Sequence, residues 1–219
     1  MKTRAIILTL TVLLFSSCIV KSLQPFYIKE SLKFNEKLLG TWIDNKSGEW
    51  TVESVKNKFE ADKKEGIELS KEDIKAFEAY KQGYYIKYIK NKKEAGFIAM
   101  PFIVNEQFFL DFIPIEIEDD EINSLAAAHL LKTHSVAKLD NNSDDNIVFS
   151  WLSEERISDL FDTHKIRLKH ETVGFDDDLL LTASSQELYA FLKKYMKSGI
   201  EDKWRKEDQL ELTKKDANP

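Results

Sequence analysis

The sequence predicts a mainly β protein in which one curved, mainly antiparallel sheet carries inserted and C-terminal helices. Aromatic residues make up 11% of the 219-residue chain, with 14 Phe and 7 Tyr, and such residues favour strands and a well-filled interior. Several short runs alternate apolar and polar residues, as half-buried strands do. Helical spacing is restricted to brief segments that follow capping residues.

The most regular part of the chain contains three strand-like runs at residues 84–90, 95–104 and 108–113. The links between them, at 91–94 and 105–107, are short and polar. Parallel strands need a crossover connection of about a dozen residues or more, so links of this length join antiparallel strands. Two hairpins that share the middle strand are therefore predicted.

Further strands are predicted on both sides of these hairpins. They are residues 49–55, 133–139, 146–151, 166–171 and 179–182. Turn-forming residues at 44–48 precede the first of them, and a similar group at 140–145 joins the second to the third. The sheet is thus expected to continue well beyond its central hairpins.

Helices are predicted where a capping residue precedes apolar residues at helical spacing. Ser70 with Asp73 resembles a capping box, Ser153 is an N-cap candidate, and Ser184 with Glu187 forms a capping box. These positions predict helices near 71–81, 153–163 and 184–195. The acidic residues 116–121 favour the first turn of another helix. A short helical turn or two is also expected within 31–39.

The N-terminal residues predict a secretory signal peptide. Lys2 and Arg4 precede an uncharged, mostly apolar run at residues 5–20. That run is shorter than the roughly 20 apolar residues that a transmembrane helix needs. A positive start, a short apolar core and small residues after it are typical of a signal peptide, which is removed in the mature protein.

The signal peptide ends on the only cysteine of the chain, Cys18, after Ser16 and Ser17. This arrangement resembles the lipobox of bacterial lipoproteins, although Phe15 stands where that family usually has Leu. The resemblance implies cleavage after Ser17 and a lipid attached to Cys18. Membrane lipid would then be a partner through Cys18. The alternatives are a plain buried thiol and a signal peptide cut elsewhere.

The residues that follow Cys18 bear on location. An Asp directly after the cysteine would resemble an inner-membrane retention signal, but position 19 is Ile. An acidic run after the cysteine would resemble a surface-export signal, and none follows. The resemblance therefore implies an outer-membrane lipoprotein that faces the periplasm, with surface exposure as the alternative. The predicted organisation is a signal peptide at 1–17, a lipidated tether at 18–30, a single domain at 31–198 and a polar tail at 199–219.

Gly40, Thr41 and Trp42 follow the predicted helical turns and begin a strand. This G-x-W arrangement resembles the first strand of lipocalins. The resemblance implies a barrel whose bottom is closed by Trp42, under an Arg from a late strand, for which Arg167 is the candidate. Because helices interrupt the strands near 71–81 and 153–163, a half-open barrel is expected. The whole chain resembles bacterial lipoproteins with a lipocalin-like domain of unknown function.

The sequence predicts no catalytic residue, metal site or cofactor. It contains neither G-x-G-x-x-G nor G-x-x-x-x-G-K-[ST], the glycine-rich phosphate-binding patterns, and no H-E-x-x-H zinc motif. Its net charge of −6 is unfavourable for nucleic acid, which selects basic surfaces. Asp140, Asn142 and Asp144 resemble half of a calcium loop, but Asp145 stands where that loop needs Gly, so a hairpin turn is favoured.

The candidate binding residues are aromatic residues of the barrel strands. They are Trp42, Tyr85, Tyr88, Phe97, Phe102 and Phe109. Such residues either fill the core or line an apolar ligand cleft. The favoured function is a non-enzymatic envelope module that binds a small apolar molecule. The alternative is an accessory or scaffold lipoprotein that acts through protein contacts, and an enzyme is the third interpretation.

Overall fold

The computed structural model describes residues 19–117, 131–175, 177–204, 206 and 209–215, except the side chains of 116, 117, 141 and 142. The predicted signal peptide, Cys18 and His129 lie outside the described residues. So do residues 118–130, which include most of the helix predicted from the acidic residues at 116–121. In the part of the chain that is described, no helix is both long and apolar enough to span a membrane.

The described residues form eleven strands and four α-helices. The strands are β1 Lys21–Ser22, β2 Gly40–Asp44, β3 Glu49–Ser54, β4 Tyr84–Lys90, β5 Lys93–Val104, β6 Gln107–Ile117, β7 Ser135–Ser143, β8 Asn146–Trp151, β9 His170–Val173, β10 Asp178–Leu181 and β11 Gln209–Lys214. The α-helices are α1 Val55–Lys64, α2 Lys71–Tyr80, α3 Glu154–Asp162 and α4 Ser185–Lys197. Two 3₁₀ turns, Lys29–Ser31 and Glu36–Leu38, account for the helical turns expected near 31–39.

Eight of the strands form a closed antiparallel barrel in the order β11-β2-β3-β4-β5-β6-β7-β8. The predicted class, a mainly β protein with a lipocalin-like antiparallel barrel and inserted helices, is confirmed. The central hairpins β4–β5 and β5–β6 and the hairpin β7–β8 are present as predicted.

The barrel is closed rather than half open because β11 lies between the first and last strands of the meander. Leu212 of β11 pairs with Asp44 of β2 and with Ile147 of β8. Strand β11 belongs to the segment 199–219, which the sequence predicts to be a polar tail. The inserted helices do not prevent closure, since they leave the barrel between strands and return to it.

Trp42 is fully buried at the point where β2 meets β11, and its indole N–H donates to the carbonyl of Leu38 at 3.0 Å. The cation over its ring is Lys214 of β11, with Nζ 5.4 Å from the ring centroid. The expectation that Arg167 takes this place is wrong. β11 brings its own lysine to the ring, because Lys214 is the cross-strand partner of Trp42.

The turn between β2 and β3 is organised by Asp44, which is buried. Its carboxylate accepts hydrogen bonds from the backbone N–H groups of Lys46 and Gly48 and from the Trp50 indole, each at 2.8 Å. Position 48 requires glycine, because a Cβ there would lie 2.4 Å from the ring of Tyr88. This chemistry explains why the predicted turn at 44–48 forms.

The three predicted capped helices are present, and Ser70, Ser153 and Ser184 are their N-caps. Helix α1 was not predicted, because its lysine-rich sequence has no apolar stripe, and none of its residues is buried. It packs on α2 through stacked rings of Phe59 and Phe77 at 4.0 Å.

A second layer covers the outer face of the barrel. Phe102 and Phe109 point outward from β5 and β6 and stack at 5.5 Å. They share a buried cluster with residues of the N-terminal segment, α3, β10 and α4. The N-terminal segment is therefore packed on the domain, although a tether is expected at 18–30. Val20 and Phe26 are fully buried, and β1 pairs with β10 in a sheet ordered β1-β10-β9.

Candidate ligand-binding cleft

The interior of the barrel is packed with the protein's own rings. The ring centroid of Trp50 lies 4.6 Å from that of Tyr88 and 6.5 Å from that of Phe112, which it meets edge-on. The ring centroids of Phe112 and Phe97 are 6.2 Å apart. Trp42 belongs to the same cluster. An eight-stranded barrel is just wide enough for side chains to fill or for one small ligand. Three of the six candidate binding residues, Trp42, Tyr88 and Phe97, therefore lie among the aromatic side chains of the lumen.

The other three candidates lie outside the barrel. Phe102 and Phe109 are buried beneath the second layer, and Tyr85 lies under Lys58, whose Nζ is 4.8 Å from the ring centroid. Successive side chains of a strand point to opposite faces, so the strands divide the six residues between the lumen and the outer wall. The structure does not bring them together in one site, and ligand contact by any of them stays a prediction.

A concave feature lies on the outside of the barrel, between the end of α3 and helix α4. It is a cleft of about 1130 Å³. We call it the α3–α4 cleft. Its lining residues are Phe161, Asp162, His164, Lys165, Ile166, Arg167, Leu168, Lys169, His170, Glu187, Ala190, Phe191, Lys194, Tyr195, Ser198 and Ile200.

One wall of the cleft begins where α3 stops. His164 has φ = 54°, the left-handed backbone conformation that commonly ends a helix but is unusual for a residue other than Gly or Asn. Beyond it, the backbone N–H of Lys165 donates to the carbonyl of Leu160 at 2.9 Å. The chain thereby reverses and runs back along the cleft.

Residues 165–169 form that wall as an extended segment, although the sequence predicts a strand at 166–171. The regular strand β9 begins only at His170, where pairing with Leu181 of β10 starts. The predicted alternation is nevertheless present. Ile166 and Leu168 are half-buried against the outer core, while Lys165 and Arg167 are exposed. The apolar residues of this alternation pack against the outer core and not on the face of a hydrogen-bonded strand.

The floor of the cleft is apolar. Phe191 and Tyr195 of α4 are buried and stack at 5.4 Å, and the rings of Phe161 and His170 stack at 3.8 Å. Burial raises the pKa of Tyr195 to about 12, and its hydroxyl donates to the carbonyl of Lys203 at 3.1 Å. Tyr195 is therefore neutral near pH 7 and behaves as part of the apolar floor.

The rim of the cleft is basic, in contrast to the net charge of −6 of the chain. Four of its lining residues are Lys or Arg, and two are carboxylates. Lys169 lies 4.0 Å from Glu187. Among the described residues, no carboxylate lies within 4.0 Å of the side-chain nitrogens of Lys165, Arg167 or Lys194. The cleft thus combines an apolar floor with cations that lack an ion-pair partner there.

The histidines that the sequence left without a role have separate places. His164 and His170 line the cleft. His134 is nearly buried, and its Nδ1 lies 2.6 Å from a carboxylate oxygen of Asp111, which is 1% exposed. The other oxygen of Asp111 accepts a 2.7 Å hydrogen bond from the backbone N–H of Phe26. Sequence reasoning missed this pairing, since Asp111 lies in an otherwise apolar strand.

The Asp111–His134 pair holds the N-terminal segment against the barrel. Ser22 exchanges two backbone hydrogen bonds with His134, at 2.9 and 2.8 Å. The Ser22 hydroxyl donates to the carbonyl of Gln24 at 2.8 Å, and Ser22 is fully buried. These hydrogen bonds hold β1 against the outer wall of the barrel.

The hairpin predicted around residues 140–145 is present between β7 and β8, but β7 continues to Ser143, so the turn consists of residues 144 and 145. The carboxylates of Asp140 and Asp144 are engaged by Lys138 and Lys37, each at 2.6 Å. Within the described residues, no group of three or more His, Cys, Asp and Glu side chains is arranged to hold a metal ion. The acidic residues of this hairpin therefore serve as ion-pair partners.

No protein-family model, curated protein or solved structure matches the chain. What the protein binds is therefore inferred from its own residues. The α3–α4 cleft combines a concave volume of about 1130 Å³ with an apolar floor and convergent polar groups, which is typical of small-molecule sites. A sequence signal for it exists in the alternation of basic and apolar residues at 165–169, beside the amphipathic helix α4.

Proposed function

We propose that the protein is a lipid-anchored envelope protein that binds a small ligand with an apolar body in the α3–α4 cleft. The observation that carries the proposal is the cleft itself, whose volume of about 1130 Å³ would hold a small organic molecule. The aromatic rings that contact one another in the lumen favour the outer cleft over the interior of the barrel as the place of binding. The role is non-enzymatic and consists of holding the ligand at the membrane.

The anchoring part of the proposal rests on the lipobox-like sequence that ends at Cys18. The position of the next residue is consistent with it. Ile19 forms a bridge with Ser153, and Val20 is fully buried, so the chain enters the fold directly after Cys18. A lipid on Cys18 would hold the domain close to the outer membrane, with more than one acyl chain for stable attachment.

Native mass spectrometry of the full-length protein, purified from its own envelope in mild detergent, tests both parts. A covalent mass increase on the N-terminal peptide, absent in Cys18→Ala, is expected from lipidation. Additional mass that is lost on denaturation is expected from a bound ligand. No covalent increase would refute the anchor, independently of the ligand.

A pair of matched variants tests the location of the ligand. Ala190 is exposed and lines the cleft, so Ala190→Trp should obstruct it without disturbing the core. Ala79→Trp places the same ring at an exposed position of α2, outside the cleft. Ligand should be lost from the first variant and retained by the second. Equal retention by both, or absence of ligand together with failure to bind a fluorescent fatty-acid probe, would contradict the proposal.

A second candidate function, an accessory protein that acts through protein contacts, is favoured by the hairpin β9–β10. Phe175 at its turn is fully exposed, and all four residues of β9 are exposed along the edge of the three-stranded sheet. Exposed edges of this kind can pair with another chain. This candidate predicts that Phe175→Ser abolishes co-purification of a partner protein, whereas Ala190→Trp leaves it unchanged.

A further inference from the structure

We propose that the ligand of the α3–α4 cleft is an amphipathic anion, in which one alkyl body lies on the floor and one anionic head group lies among Lys165, Arg167 and Lys194. The proposal rests on the proposed function, because it names the chemical class of the ligand that the cleft takes. A carboxylate and a phosphate share the chemistry required of the head group.

On both walls of the cleft, exposed cations are next in sequence to apolar side chains that are buried or half-buried. On the extended wall, Arg167 lies between Ile166 and Leu168, which turn inward to the outer core. On α4, Lys194 is exposed, while Phe191, one turn earlier, and Tyr195, the next residue, are buried. The two walls therefore present the same order of layers, apolar below and cationic above.

The cations of the rim are available for a ligand. Lys165, Arg167 and Lys194 have no carboxylate partner within 4.0 Å among the described residues. Some exposed basic residues elsewhere in the fold have such partners, as Lys37 does with Asp144, and others such as Lys75 on α2 have none among the described residues. Three cations without partners beside one apolar floor favour an occupant that supplies negative charge at the rim.

The two carboxylates of the lining limit where the head group can lie. Glu187 is occupied by the cap of α4, since its carboxylate accepts hydrogen bonds from the backbone N–H and the hydroxyl of Ser184 at 2.9 and 2.8 Å. These bonds lower the pKa of Glu187, so it stays ionised and would repel an anion. Asp162 ends α3 and carries the same sign. The head group is therefore expected beside Lys165, Arg167 and Lys194 and away from these two carboxylates.

The floor distinguishes this ligand from a simple or extended polyanion. Phe191, Leu168 and Ile200 offer apolar surface that inorganic phosphate or a sugar phosphate would leave uncovered. Burial of alkyl carbons on it should tighten binding about fourfold for each CH₂. Affinity should therefore require both parts of the ligand.

The test is isothermal titration calorimetry of the full-length, anchored protein in lipid nanodiscs, with empty nanodiscs as the blank. The probes are octanoate, octyl phosphate, uncharged octanol and acetate. Octanoate and octyl phosphate should bind, octanol should bind about tenfold more weakly, and acetate should not bind measurably. Whether carboxylate or phosphate binds more tightly separates a fatty acid from a phospholipid-like head group. Binding of the two anions should weaken as the salt concentration rises, because salt screens charges at an exposed rim.

The variants are Arg167→Gln and Lys194→Gln, with Lys75→Gln on α2 as the control that removes the same charge outside the cleft. Each cleft variant should weaken octanoate binding about fivefold, the effect of a partly exposed ion pair, and leave octanol binding unchanged. Since all three positions are exposed, the variants should fold like the parent. If octanol binds as tightly as octanoate, and the cleft variants bind both equally, the anionic class is overturned while the proposed function stands. If neither octanoate nor octanol binds, the proposed function itself fails.

Discussion

Because β11 closes the barrel, substitution of its buried Leu212 should destabilise the fold, whereas a substitution in an unpaired polar tail would have little effect. Leu212 is 1% exposed and belongs to the buried cluster of the lumen. Leu212→Ala removes three carbon atoms, worth roughly 2.4 kcal/mol of lost transfer free energy. The cavity left among the surrounding rings adds to this, so the free energy of unfolding should fall by about 3 to 4 kcal/mol.

Urea unfolding of the full chain, followed by tryptophan fluorescence, measures this loss. Trp50 reports on the lumen, since its ring lies in the same cluster as Leu212. In a thermal scan the same loss should lower the Tm by about 10 °C for a chain of this size. The matched control is Glu211→Ala, the exposed neighbour on the same strand, which should change the free energy by less than about 0.5 kcal/mol. Equal, small effects of the two substitutions would refute closure by β11.

Three further predictions concern the supports of the barrel and of the cleft. Lys214→Met removes the cation over Trp42 and should lower the free energy of unfolding by about 0.5 to 1 kcal/mol, whereas Arg167→Met should leave that free energy unchanged. Urea titrations measure both, and the reverse result would show that Arg167 is the cation that stabilises Trp42. Ser184→Ala removes the cap of α4 and should lower the free energy of unfolding by about 1 kcal/mol, and an unchanged thermal midpoint would contradict this. Burial raises the pKa of Asp111 above its ordinary value of 3.8, so the folded state binds more protons than the unfolded state between 3.8 and the raised value. The stability of the parent relative to Asp111→Asn should therefore fall as pH rises through that window, and a relative stability that grows with pH would contradict the direction of the shift.

Local sequence signals predicted the elements that depend on near neighbours. The hairpins β4–β5, β5–β6 and β7–β8 follow from alternation and short polar links. The caps at Ser70, Ser153 and Ser184 follow from a side chain three residues or fewer from its backbone partner. Each of these interactions forms within one short segment, so its residues lie close together in the sequence.

The cleft was only partly predictable. The alternation at 165–169 and the apolar stripe of α4 were both visible, and they were interpreted as a strand and as a helix that packs on the core. Their facing positions depend on the reversal at His164, a left-handed residue that propensity does not indicate. The contact between Asp111 and His134 was not predictable either, because it joins β6 to the residue just before β7, two positions from Val136, the cross-strand partner of Asp111.

The sequence by itself determined that the chain would form a mainly antiparallel sheet with capped helices, because strand alternation, turn residues and capping boxes act over a few residues. Only the tertiary structure decided that the sheet would close. β11 carries just two apolar residues, Leu210 and Leu212, and its pairing with β2 joins positions some 170 residues apart. A strand with so weak a local pattern is specified by the two free edges that receive it and by the lumen that buries Leu212, and neither exists until the rest of the barrel has formed.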